Sequence, residues 1–152
     1  MATEQAFPAE TCQCKVKAQR FAEFVRLHAT EGGVLSAEDE LKVLRTGVSE
    51  FGLGLDEAKG ILLGVAADRR IALESQVERH LGHFLGPAGK NRKVSREKFN
   101  EAVEFYKRLT YESVSQTDAE KRVKAVMERT GLKPRRSWSR LGSRKWYNRI
   151  KA

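Results

Sequence analysis

Proline and cysteine are scarce: three and two residues in a chain of 152. Few prolines argue against a loop-rich fold and for long helices. The cysteines stand at Cys12 and Cys14 with one residue between them. That spacing suits no structural disulfide, and two thiols cannot close a four-ligand metal site. Reduced thiols are the expectation. No apolar run is long enough to span a membrane. No basic-then-apolar leader opens the chain, since Met1 to Glu10 is polar and contains Pro8, so a cytoplasmic location is expected. Acidic residues are nearly missing from one region: residues 121–152 hold 12 Lys and Arg but a single acid, Glu128. Residues 1–120 hold 17 basic and 19 acidic residues, so the whole surplus behind the net charge of +9 lies in the last fifth of the chain. A uniformly basic, histone-like protein is excluded.

What is present is helical periodicity. A first helix is expected over about 13–29, with Val16, Phe21, Phe24, Val25 and Leu27 apolar, ended at Glu31-Gly32-Gly33. Ser36, with Asp39 three residues on, caps a second helix whose stripe is Leu41, Leu44, Val48 and Phe51. A third helix, over 55–71, takes Asp56 as its cap and Ala58, Ile61, Leu62, Val65 and Ala66 as its core face. Gly60 and Gly64 within it each cost about 1 kcal/mol relative to Ala, which close helix packing would offset. A fourth runs over 73–85 with Val77, Leu81, Phe84 and Leu85 inward. Ser95 caps a fifth, over 96–112, with Phe99, Ala102, Val103, Tyr106 and Leu109. The capping box Thr117-x-x-Glu120 opens a sixth, over 118–130, with Val123, Val126 and Met127. The expected fold class is all-α: a compact bundle of five to six helices over residues 1–131, with a loose N-terminus over 1–12 and a basic tail over 132–152.

The starts of the second and fifth helices repeat a phrase. Val34-Leu35-Ser36-Ala37-Glu38 and Lys93-Val94-Ser95-Arg96-Glu97 each place an apolar residue before a serine cap and a glutamate at the second helical position. Such phrases also follow calcium loops, but the ligand positions do not fit. They would be His28, Thr30, Gly32 and Asp39 in one loop and Pro87, Gly89, Asn91 and Lys98 in the other. The run from Glu31-Gly32-Gly33-Val34-Leu35-Ser36 to Glu40, a helix, a glycine-containing break, a further helix and then Lys93-Val94-Ser95-Arg96-Glu97 resembles the tellurite-resistance B-like (TerB-like) domain over about residues 15–112. The resemblance implies a small all-helical bundle of accessory rather than catalytic character. Family members usually carry Asp at these two turns. Here Gly32 and Lys93 stand there, so no metal set is carried over.

No motif supports catalysis. His80 and His83 share a helix face but make half a zinc site, and Gly89-Lys90-Asn91 lacks the rest of a phosphate loop. No cofactor, metal or catalytic residue is expected. The tail is richer. Residues 132–152 hold eight basic residues, no acid and both tryptophans. Three readings stand side by side: the tail folds back on the bundle through Trp138, Leu141, Trp146 and Ile150; it binds nucleic acid through cations and stacking rings; or it docks on a protein with an acidic surface or, less favoured, on an anionic membrane. The expected contact residues are Arg135, Arg136, Trp138, Arg140, Arg144, Lys145, Trp146, Tyr147 and Arg149. The loop residues Lys90, Arg92, Lys93, Arg96 and Lys98 would extend the same surface. The expected role is a non-enzymatic adaptor, with nucleic-acid binding as the alternative.

Overall fold

The computed structural model describes residues 9–29, 32–86, 92–135 and 144–151, with side chains from residue 15 onward. Among these residues the chain forms seven helices and four two-residue strands. In order they are α1 (Ala9–His28), β1 (Val34–Leu35), α2 (Ala37–Ser49), α3 (Leu55–Asp68), β2 (Ala72–Leu73), α4 (Glu74–Leu85), β3 (Lys93–Val94), α5 (Arg96–Leu109), α6 (Gln116–Arg129), β4 (Lys133–Pro134) and α7 (Lys145–Asn148). The all-α class holds. The helix count is seven rather than five to six, the addition being the single turn α7 inside the expected tail. No helix of the described residues is long and apolar enough to cross a membrane.

The serines act as expected at two starts. Ser36 Oγ accepts from Asp39 N at 3.1 Å, and Ser95 Oγ accepts from Lys98 N at 3.1 Å. At the sixth helix the cap is Ser115, not Thr117. Its hydroxyl accepts from Asp118 N at 3.1 Å and donates to Asp118 Oδ2 at 2.7 Å, repeating the Ser-x-x-Asp arrangement of α2. The cap of α3 is the extended residue Gly54, and Asp56 lies in the first turn, facing the positive helix end. Helices α3 and α5 stop at Asp68 and Leu109, short of the expected ends, just before Arg70 (φ 54°) and Tyr111 (φ 53°) in left-handed backbone.

Two ladders organise the bundle. β1 pairs parallel with β2, Val34 opposite Ala72 and Leu35 opposite Leu73. β3 pairs parallel with β4, Lys93 opposite Lys133 and Val94 opposite Pro134. Parallel partners need a long crossover. Helices α2 and α3 supply it in the first half, α5 and α6 in the second. Each ladder is approached by one glycine and one arginine with positive φ: Gly32 (69°) and Arg70 (54°) in the first, Gly131 (70°) and Arg92 (50°) in the second. Glycine adopts this conformation without strain, whereas arginine does so at a cost.

Each half has its own core. Phe21, Val25, Val43, Leu62 and Leu73 belong to the first; Leu81, Val94, Phe99, Tyr106, Val123 and Met127 belong to the second. The β1–β2 ladder is the wall between them. Leu35 and Leu73 face the first core, while Val34 and Ala72 pack with the second, as alternation along a strand requires.

Helix α2 departs from its expected stripe. Leu41 is 55% and Val48 42% exposed, while Glu40, Val43 and Gly47 are buried. Two contacts turn the helix this way. A Cβ at Gly47 would lie 2.8 Å from the Phe21 ring, so α1 and α2 meet at the one position without a side chain. Glu40 is drawn inward by hydrogen bonds from Ser75 N (3.0 Å to Oε1) and Ser75 Oγ (2.6 Å to Oε2). The close packing expected at Gly60 and Gly64 is not found: nothing lies within 4 Å of a Cβ built at either. On α1, Phe21 and Val25 are buried as expected, but Val16 and Leu27 are exposed. The inward faces of α4, α5 and α6 match their expected stripes, with Phe84 and Leu109 half-buried.

Candidate anionic-partner interface

The β3–β4 ladder joins two basic segments that lie far apart in the chain. Lys133 N donates to Arg92 O at 2.8 Å and Arg135 N donates to Val94 O at 2.7 Å. In a parallel ladder the donors alternate, so Pro134 falls where no N–H is needed. Val94 and Pro134 point into the core. Lys93 and Lys133, opposite each other, point outward, flanked by Arg92, Arg96 and Arg135, all exposed. None of these five cations forms an ion pair with a described carboxylate. Several other cations in this half are paired: Arg129 with Glu78 (2.8 Å), Lys107 with Glu112 (3.4 Å) and Arg122 with Glu74 (2.5 Å).

Glu97, beside Arg96 in the first turn of α5, is an acid that feels this surface. Its carboxyl sits below the usual carboxylate range, held there first by its own backbone N–H and the Ser95 hydroxyl, and further by the charges of Arg96 and Arg135. Lys98 is turned away from the five. Its ammonium stands 3.6 Å over the Phe84 ring and 3.3 Å from Glu101.

The described part of the tail rests on the second core. Tyr147 is 6% exposed, and Trp146 is half-buried against Phe99, ring centroids 5.1 Å apart. Lys124 Nζ donates to Ile150 O at 2.7 Å and also stands over the Tyr147 ring. The Tyr147 hydroxyl donates to Glu128 Oε1 at 3.5 Å, and burial, then the Glu128 charge, pushes its pKa up to about 12. Arg144, Lys145 and Arg149 are exposed. Lys90, Arg136, Trp138 and Arg140 lie outside the described residues.

No protein-family model, curated protein or solved structure matches the chain.

His80 and His83 are both exposed, and among the described residues no group of three or more His, Cys, Asp or Glu is placed to hold a metal. In the sequence the loop cations look like an outlying addition to the tail, and nothing marks Lys133 among the tail's cations. The ladder makes Lys93 and Lys133 direct neighbours. A two-residue strand carries too little periodicity to announce such a pairing.

Proposed function

We propose that this protein is a non-enzymatic cytoplasmic adaptor that engages an acidic surface on a partner protein through its β3–β4 end. The observation that carries this is the register of Lys93 with Lys133. It gathers Arg92, Lys93, Arg96, Lys133 and Arg135 at one place, none of them in an ion pair with a described carboxylate. Such a field steers an oppositely charged partner and fixes its orientation. Arg144, Lys145 and Arg149 extend the positive surface, while Trp146 and Tyr147 anchor the segment that carries them. The accessory character implied by the TerB-like resemblance belongs to the same proposal.

The test is titration of the full chain with fluorescent poly-glutamate, with and without Lys93→Glu and Lys133→Glu together. Saturable binding lost in the double variant supports the proposal. No binding at low salt overturns it. Nucleic acid is the second reading, favoured by the partly exposed Trp146 ring in a segment that also carries exposed Arg144, Lys145 and Arg149, a combination of ring and cations that can hold a stacked base. It requires duplex or single-stranded DNA or RNA to outcompete poly-glutamate, with affinity falling steeply as salt rises.

A further inference from the structure

A cavity of about 430 Å³ opens where the two halves meet, between β1, α5 and the first turns of α6. Its size is that of a small-molecule site, and junctions between structural units are where such sites recur. Val34 and Val114 give it an apolar wall, and Tyr106, Asp118, Lys121 and Arg122 give it a polar one. Tyr106 is 2% exposed, yet its hydroxyl makes no hydrogen bond with any described residue. The hydroxyl keeps a little solvent contact, so a ligand acceptor that reached it would take the place of water at this donor. Burial raises the Tyr106 pKa, with the charge of Arg122 opposing the shift and those of Glu74 and Glu78 adding to it. Lys121 has no carboxylate partner, whereas Arg122 is held at Glu74 Oε1. Asp118 folds back on Ser115 and leaves a negative charge on the rim.

We propose that this cavity binds a small organic monocarboxylate. Its carboxylate sits between the Lys121 ammonium and the Tyr106 hydroxyl, and its compact apolar body lies against Val34 and Val114. The pairing of one free cation with one free neutral donor suits a single negative charge. The nearby Asp118 disfavours a dianion such as phosphate. The site shares no residue with the β3–β4 surface, so it stands or falls independently of the adaptor reading.

The test is titration of the full chain with benzoate, followed by NMR of the valine methyls. The expected result is saturable shifts at Val34 and Val114. Lys121→Gln should weaken binding about tenfold and Tyr106→Phe about threefold or more. Benzamide and inorganic phosphate should both bind at least about tenfold more weakly. Shifts that never saturate overturn the proposal. So does benzamide or phosphate binding as well as benzoate, or either variant binding benzoate as the unaltered chain does. Should Tyr106→Phe fail to fold, Lys121→Gln decides, because Lys121 is half-exposed and outside the core. Poly-glutamate binding at the β3–β4 end should not change in either variant.

Discussion

At the β1–β2 ladder two carboxylates hold two helix starts, whereas at the β3–β4 ladder the matching positions carry an arginine and a phenylalanine. Glu74, directly after β2, accepts from Ala37 N at the start of α2 (2.9 Å), and Glu40 of α2 accepts from Ser75 N at the start of α4. Each helix thus places an anion at the positive end of the other. Arg122 approaches the remaining oxygen of Glu74 as an ion pair, without aligning an N–H for a hydrogen bond. In the second half Arg135 directly follows β4, and Phe99 stands where Glu40 does, four residues past the serine cap. Phe99 receives Trp146 instead of capping a helix. One backbone device is therefore used twice, sealed by internal anions in one place and left cationic and outward-facing in the other.

The contrast breaks most visibly at its sealed side. Glu74→Ala should destabilise the protein by about 2–3 kcal/mol, since it removes a charged cap and leaves Arg122 without its partner, whereas Arg135→Ala should change stability by about 0.5 kcal/mol or less. Urea denaturation of the two variants checks both. Gly47→Ala should cost about 1–3 kcal/mol, because the new methyl meets the Phe21 ring at 2.8 Å and Ala58 Cβ at 3.0 Å. Gly64→Ala, where a Cβ meets nothing, should stabilise by about 0.5–1 kcal/mol. Opposite signs in thermal melts would confirm where the helices touch. Lys93→Glu with Lys133→Glu should leave the melting midpoint nearly unchanged while removing poly-glutamate binding at low salt. An equal loss of stability would mean that these cations support the fold.

The smallest effect near neutral pH concerns Tyr147. Its folded pKa, about 12, lies above the ordinary value of 10.0. The folded state therefore keeps the phenolic proton after the unfolded chain has released it. Its contribution is complete below pH 10 and declines as pH rises toward 12. Tyr147→Phe should flatten the alkaline limb of the stability profile over that window. A profile unchanged by the substitution would show that this hydroxyl titrates freely.

Helices α4, α5 and α6 were legible because each buries a single apolar face against one core. On α5, Phe99, Ala102, Val103 and Tyr106 are all buried. Helix α2 was not, because apolar weight alone cannot see that the closest approach goes to the smallest residue, Gly47, or that a glutamate is pulled inward by another helix's start. The cations of the candidate interface were legible as types. Their meeting was not, since it depends on a parallel pairing of Lys93 with Lys133 across two intervening helices.

The wall formed by β1 and β2 bears on how the molecule comes apart. Because Leu35 and Leu73 face one core while Val34 and Ala72 face the other, loosening either half exposes the back of the same four residues. The two halves should therefore unfold as a single cooperative unit. The amide of Ala72, bonded to Gly33 O at 2.9 Å, should exchange with solvent only through global opening. The β3–β4 pair has a core on one side only, so the amide of Lys133 should exchange through smaller, local excursions. The end proposed to meet a partner is thus the end able to adjust to one without unfolding the rest.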